Sequence, residues 1–342
     1  MEHKNYVSIQ KIAGESMEFI LGIESTAHTF GIGLVSIEGK TLVDFSHSYI
    51  PEKGGIHPRE ASEHHAKVAP QLLEKALKYV RKNNGRIVAV GFARGPGLGP
   101  CLRVGATFAR AVALYLGAPL YGVHHAIAHI ELGKRLTGLH NPLAVLVSGG
   151  HTVITSKEGR RYRIWGETLD ISLGNLIDMF MRAAGYPSPA GPLCEKLARK
   201  TTEIYEIPYV VKGTDLSFSG ILSALKKALK EGVSIEVLCR SLQETAFAML
   251  CEVTERALVH SKKEEILLCG GVANNRRLQE MMREVAREHG VRFAVAPKWN
   301  SDNGVMIAYT TMLYHTHSAE PLKPEESYVI PLWRLDRVDL PY

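Results

Sequence analysis

The opening of this chain is written twice. Phe19 to Ile23 is an apolar run that passes into the small-residue turn Glu24-Ser25-Thr26. A second run, Phe30 to Ile37, follows, then Glu38-Gly39-Lys40 and a third run from Thr41 to Phe45. Leu143 to Val147 begins the same order again. It ends in Ser148-Gly149-Gly150 and continues through His151 to Ser156, Glu158-Gly159-Arg160 and Tyr162 to Trp165. Each copy reads as strand, turn, strand, hairpin, strand. A repeat of about 120–125 residues is longer than any solenoid period and requires two similar lobes.

The chain of 342 residues is long enough for two such domains, and 45% apolar against 22% charged residues supplies core for both. No apolar run reaches the about 18 residues of a membrane span, so no membrane partner is expected. Residues 1–18 lack the apolar centre of a secretory signal and read as a short N-terminal extension. The five cysteines, Cys101, Cys194, Cys239, Cys251 and Cys269, are scattered and never spaced CxxC. That pattern suits a reducing, cytoplasmic setting better than a disulfide framework. The net charge of +6 is compatible with RNA without requiring it. The basic stretches Lys75–Arg86 and Arg276–Arg287 read more simply as solvated helix faces.

In the first lobe, His57-Pro58-Arg59-Glu60 opens a helix with the stripe Val68, Leu72, Leu73, Ala76, Leu77 and Val80, closed by Gly85. Arg86 to Ala93 is a strand. The Gly/Pro loop Arg94–Pro100 enters a helix ending at Leu116 and lacks the Gly-Lys-Ser/Thr of a P-loop. Its glycines admit close approach of either a ligand or a packed element. Pro119 to Val123 is a strand leading into a helix, and Thr137–Pro142 is a turn-rich boundary. In the second lobe a helix is expected over Asp170–Ala184 with the polar stripe Asn175, Asp178, Arg182. The loop Tyr186–Pro192, a helix carrying Glu195, and the polar segment Lys212–Gly220 follow. Ser234 caps a long helix running to about His260. Ile266–Cys269 is a strand entering Gly270-Gly271-Val272-Ala273-Asn274-Asn275. After a further helix and the strand Val291–Ala296 come Asn300-Ser301-Asp302-Asn303-Gly304 and a last helix. The expected units are 19–141, 142–320, with the last helix turning back towards the first lobe, and an extended tail over 321–342.

His125 and His129 stand four apart in Gly122–Leu132, one turn apart on one helix face. Two neutral imidazoles so placed can grip a divalent metal, or can simply be buried and bonded to backbone. Zinc peptidases carry Glu after the first His; here it is Ala126. Asp302, in a loop before an apolar helix, offers a third donor of a kind that suits iron or zinc. The turns Glu24–Thr26 and Ser148–Gly150 can present N–H and hydroxyl donors to phosphate, and Gly270-Gly271 lets a base or sugar approach. Three such loops in this order, with a duplication, suggest an α/β, two-lobed actin/Hsp70/sugar-kinase-like fold. Its duplicated ββ-hairpin-α lobes would close on a nucleotide and metal cleft.

The longer motifs carry a resemblance. GIESTAHTFGIGLV, GGIHPREASEHH, GPGLGPCLRVGATFARA, HHAIAHIELG, VSGGHT, GETLDISLGN, KGTDLSFSGIL, SLQETAFAMLCEVTERAL, GGVANN and DNGVMIAY are similar to the tRNA threonylcarbamoyladenosine synthase (TsaD-like) family. The opening resembles its archaeal and eukaryotic branch, the catalytic subunit of the KEOPS complex. The resemblance runs from about Phe19 to Trp333. It implies a metal-dependent acyltransferase. The threonylcarbamoyl group of threonylcarbamoyl-adenylate would pass to the exocyclic amine of the adenosine just 3′ of the anticodon, in tRNAs reading ANN codons, and AMP would leave. It places metal ligands at His125, His129 and Asp302. Leu146, Val147, Ser148, Gly149 and Gly150 would hold the adenylate phosphate and acyl region, Asp178, Gly191 and Glu195 the ribose and adenine. Gly270, Gly271 and Asn275 would lie beside the nucleotide. One iron or zinc per subunit is implied, with magnesium where ATP occupies the cleft. The implied partners are tRNA, the adenylate-forming enzyme, a small protein kinase/ATPase and small dimerising subunits.

No single base for the attacking amine stands out; His28 and Glu24 are the candidates. The chain departs from the family pattern at Leu146, where Tyr is usual, and at His124 and His151, where Asn is usual. Its Gly-Gly loop reads GGVANNRRL where GGVAANNRL is commoner. Leu146 cannot ligate a metal, so the site is either more open or completed by His151 or His124. Two other functions share these features: a catalytically weakened ATP-binding scaffold of a KEOPS-like assembly, and a sugar or carboxylate kinase of the same superfold.

Overall fold

The structure, a computed structural model, describes residues 16–51 and 54–342. Most of the expected 1–18 extension lies outside the described residues. The first lobe comprises β1 (Met17–Glu24), β2 (Thr29–Ser36), β3 (Leu42–Ser48), α1 (Pro58–Lys82), β4 (Gly85–Gly95), α2 (Gly99–Leu116), β5 (Leu120–His124) and α3 (His125–Thr137). The second runs β6 (Leu143–Val147), β7 (Thr152–Glu158), β8 (Arg161–Glu167), α4 (Leu173–Ala183), α5 (Gly191–Ala198), β9 (Val211–Lys212), β10 (Asp215–Leu216), α6 (Ser219–Lys230), α7 (Ile235–Ser261), β11 (Glu265–Cys269), α8 (Arg276–Glu288), β12 (Arg292–Val295) and α9 (Gly304–Thr316).

The duplication is visible in the sheets. The first is ordered β3-β2-β1-β4-β5 and the second β8-β7-β6-β11-β12. In each, the opening strand pairs antiparallel with the hairpin that follows and parallel with the later strand on its other edge. Strands buried on both faces read as continuous apolar runs, as β1, β2 and β6 do. Leu146 and Val147 send their side chains to opposite faces of β6, into different cores. No helix among the described residues is long and apolar enough to cross a membrane. The five cysteines are free and buried.

α9 follows the second sheet in sequence but packs on β1, β2 and β4 of the first. The approach is backbone on backbone: a Cβ at Gly33 would stand 2.1 Å from the Gly304 carbonyl carbon. Asp44 of β3 accepts the Gly304 N–H at 2.7 Å, tying the start of α9 to the first lobe.

Several boundaries differ from the sequence reading. α1 ends at Lys82, and Gly85 opens β4 instead of closing the helix. The glycines of the 94–100 loop serve packing: a Cβ at Gly97 would lie 2.6 Å from the Thr26 carbonyl oxygen. Asp170 is not helical. Its carboxylate accepts from the N–H groups of Phe218 (2.9 Å) and Ser219 (3.0 Å) and from the Ser217 hydroxyl (2.7 Å), holding the polar 212–220 segment. The helix instead starts at Leu173, capped by Ser172. The tail is not simply extended. It makes two short 3-10 turns, Pro324–Glu326 and Leu335–Arg337, and buries Leu335, Val338 and Leu340.

Candidate functional site

The site is built where the strands of both sheets end. β5 runs directly into α3, so His125 is the first helical residue and His129 follows one turn later. Their rings meet edge to face with centroids 4.8 Å apart. Asp302, in the loop before α9, closes the group. Its Oδ1 is 3.2 Å from His129 Nε2 and 3.6 Å from His125 Nε2. One donor atom from each of the three lies within 4.8 Å of the others.

Glu24, at the end of β1, is fully buried beneath them. Its Oε2 is 3.0 Å from His125 Nδ1, and its Oε1 accepts the Thr26 N–H (2.7 Å) and the Thr26 hydroxyl. Both oxygens are thus spent inside the fold, which removes Glu24 as a general base. A carboxylate on Nδ1 instead fixes the tautomer that leaves Nε2 free for a cation. Electrostatics agree with a cation at this place. Burial pushes the His125 imidazole down, but Glu24 and Asp302 outweigh it and raise it to about 9. Burial likewise pushes Asp302 up, and His125 and His129 together hold it well below the usual carboxylate range. Two nearly dehydrated carboxylates demand positive charge here, and two imidazoles with one carboxylate are a donor set that a divalent transition metal accepts.

The departures from the family pattern fall around this group. Leu146 is fully buried among the apolar residues of α3 and α9. Leu146 and Val147 have only backbone to turn to a ligand. His124 faces away from the triad: its Nε2 is 3.1 Å from the Trp333 carbonyl and its ring lies against the Trp333 indole. Burial lowers it to about 3, so it is neutral. His151 lies over His125, centroids 6.0 Å apart and planes at 30°. Burial, then His125 and His129, lower it to about 3. Neither His124 nor His151 belongs to the three-donor group.

The Ser148-Gly149-Gly150 turn packs against the start of α4, where Gly174 N–H donates to the Ser148 carbonyl (3.2 Å) and Ser172 to that of Gly149. Its N–H groups are less free than the two glycines imply, because those of Gly150 (3.2 Å) and His151 (3.0 Å) donate to Ser148 Oγ. Gly149 and Gly150 are exposed, and a Cβ on either would meet nothing within 4 Å. Asp178 is half-buried on α4 and accepts the Ala190 N–H at 2.8 Å; burial raises it. Gly191 opens α5 facing free space, and Glu195, four residues on, pairs with Arg199 and accepts the Arg276 N–H at 3.1 Å.

Gly270 has φ +92°, and a Cβ there would sit 2.3 Å from the Val147 carbonyl oxygen, so the turn needs glycine. Asn275 is committed on both sides of its amide. Oδ1 caps α8 through the Leu278 N–H (3.1 Å), and Nδ2 donates to Gln243 Oε1 (2.9 Å). Gln243 is buried on α7 and ties Asn275 to α5 through the Cys194 carbonyl (3.4 Å). The sequence reading passed over Gln243, whose polarity inside an otherwise apolar helix stripe is its only local sign.

Paired sheets of one topology, with loops converging where their strands end, define the nucleotide-binding actin/Hsp70/sugar-kinase class. Solved structures of that class superpose on the chain. Full-length HypF in a phosphate- and nucleotide-bound form matches with a TM-score of 0.60 at 12% identity, over 90% of this chain and 47% of its own. The activator of the 2-hydroxyisocaproyl-CoA dehydratase from Clostridium difficile, with bound ADPNP, matches at 0.51 and 10% identity, over 89% of this chain and 99% of its own. The chain spans about half of HypF, and at such identities the likeness concerns the fold alone.

Sequence relatives narrow the class. The family model "tRNA N6-adenosine threonylcarbamoyltransferase" matches residues 40–309. A protein of that name from Pyrobaculum calidifontis is 49% identical over 95% of this chain and 96% of its own, and one from Archaeoglobus fulgidus 48% identical over 94% and 98%. A probable bifunctional tRNA threonylcarbamoyladenosine biosynthesis protein of Methanothermobacter thermautotrophicus is 49% identical over 94% of this chain and 60% of its own length. The chain belongs to the tRNA N6-adenosine threonylcarbamoyltransferase family, a family of acyltransferases.

Proposed function

We propose that this protein transfers the threonylcarbamoyl group of threonylcarbamoyl-adenylate to the exocyclic amine of the adenosine 3′ of the anticodon, releasing AMP. The observation that carries the reading is the His125–His129–Asp302 group set among the Ser148–Gly150 turn, the Gly270-Gly271 turn and Asp178. The nitrogen–carbon bond forms at the carbamoyl carbon, the carbon–oxygen bond to phosphate breaks, and AMP takes that electron pair. The amine loses one proton.

His125, His129 and Asp302 would hold one divalent cation, iron or zinc. When bound, it supplies polarisation of the acyl oxygen or a seat for the threonyl carboxylate. Glu24 keeps His125 turned towards that position. The open Gly149-Gly150 segment leaves room for the phosphate and acyl region, and the Gly149 N–H is its candidate donor. Asp178 and Glu195, flanking Gly191, would hold ribose and adenine. Of the two candidate bases the commitments of Glu24 leave His28, which is half-buried and lies within electrostatic reach of both Asp178 and Asp302. tRNA as the acceptor is supported by the relatives' names; the KEOPS subunits, the adenylate-forming enzyme and a cytoplasmic setting are what the resemblance adds to the same reading.

The test is mass spectrometry of nucleosides from unmodified tRNA incubated with this protein, its partner subunits, the adenylate-forming enzyme, threonine, bicarbonate and ATP. Threonylcarbamoyladenosine is expected only when the chain is present. His125→Ala with His129→Ala should abolish it while the protein stays folded. Full activity of that double variant would remove the metal from the mechanism.

A further inference from the structure

The turn assigned to the nucleotide and the loop assigned to the metal are joined by a single side-chain bond. Asn300 is buried, and its Nδ2 donates both to Asn274 Oδ1 at 3.0 Å and to the Ala296 carbonyl at 2.8 Å. Among the described residues this is the one hydrogen bond between the two loops. Asn274 ends the 3-10 turn Gly271–Asn274, which Gly270 pins against the Val147 carbonyl. On the other side Asp302 is bracketed. Trp299, before Asn300, has φ +60°. Asn303, after Asp302, donates to the Trp299 (3.1 Å) and Ser301 (2.8 Å) carbonyls and caps α9 through the Met306 N–H (2.9 Å). A shift of the turn therefore has one hydrogen-bonded path to Asp302, two residues from Asn300, beside the packing of Gly271 near Ser301, and the strained Trp299 backbone limits how the loop can absorb it.

We propose that Asn274 and Asn300 are positioning residues that couple a nucleoside monophosphate at the Gly270–Asn274 turn to the cation held by His125, His129 and Asp302. Each ligand tightens the other. The proposal rests on the assignment of those two sites above. The donor is Asn300 Nδ2 and the acceptor Asn274 Oδ1, which fixes what each substitution does.

The experiment uses the full chain, freed of metal by chelation, with AMP and Zn2+ as probes. Zn2+ affinity is read by competition with a chromophoric chelator at zero and saturating AMP, and AMP affinity by calorimetry with and without Zn2+. In the unaltered protein saturating AMP should tighten Zn2+ about fivefold, and Zn2+ should tighten AMP by the same factor, as linkage requires. Asn274→Ala should bring the factor to about one. Asn274→Asp keeps an acceptor and should restore the factor; Asn300→Ala, which leaves the Asn274 amide no partner in the loop, should not. An undiminished factor in Asn274→Ala overturns the coupling. So does a factor of one in the unaltered protein when both ligands bind. Failure of AMP or Zn2+ to bind at all instead overturns the site assignment, and the coupling with it.

Discussion

Glu24 shows how much of this site lies behind the groups that face a ligand. Its oxygens are used up on His125 and on the Thr26 turn, so its effect on chemistry passes through the imidazole. Glu24→Gln keeps the volume and removes the charge. It should weaken Zn2+ binding by about 10–100-fold, read by chelator competition, without unfolding the protein; unchanged affinity would mean that His125 is positioned by packing alone. Leu146→Tyr probes the departure on β6. Among fully packed neighbours the larger ring should cost about 1–3 kcal/mol in the metal-free protein by denaturant unfolding. If the hydroxyl reaches the cation, saturating Zn2+ should recover that loss. His125 and His129 were legible because their relation is local, one helical turn. Glu24 was visible only as an acid in a turn, since its partner is 101 residues away. Gln243 shows in the sequence only as a polar residue in an apolar stripe and Asn300 only as one polar residue of a polar loop: what distinguishes them is the remote amide each one finds.

Among the elements, the two sheets were readable because strands buried on both faces leave unbroken apolar runs, and because Gly and small residues punctuate both copies alike. Element ends were less so, as at Asp170. A sequence cannot show that a carboxylate will take the N–H groups of Phe218 and Ser219 instead of starting its own helix. Burial is the largest single influence on Asp170 and pushes it up, but those N–H groups and the Ser217 and Ser219 hydroxyls together outweigh it, holding it well below the 3.8 of a free side chain. Because the folded value is depressed, the stability it contributes is complete above pH about 4 and is lost as pH falls towards the folded value. Asp170→Asn should therefore cost about 1 kcal/mol at neutral pH. Its gap to the unaltered protein, followed by chemical denaturation, should narrow steadily below pH 4. A gap that stays constant in acid would show that the amide fills the same role and that the charge is irrelevant.

Over the whole molecule, the tail does what the resemblance could not foretell. It leaves α9, hydrogen-bonds the first lobe at Leu120, Arg94 and Gly97, passes His124 at Trp333, and ends on the second lobe. There Arg160 and Lys157 reach the carbonyls of Leu340 and Tyr342. Leu340 is fully buried, so Leu340→Ala should destabilise the protein by about 2–4 kcal/mol in denaturant titration; a cost under about 1 kcal/mol would mean the tail only rests on the surface. The seating of α9 has a consequence for time as well as for shape. Asp302 belongs by sequence to the second half, yet the helix it leads into is bonded to Asp44 and laid on β1 and β2, the side from which α3 also comes. The three donors are thus drawn together between the halves, with α3 lying on β11 and β6 as well as on β5, whereas the Ser148 turn, Asp178 and Glu195 belong to the second half alone. The cation position is therefore enclosed by three nearly buried side chains, while the Gly149-Gly150 side of the nucleotide seat stays open. The cation should then be a resident that outlasts many rounds of product exchange, with AMP leaving far faster than Zn2+ when both are chased from the same sample.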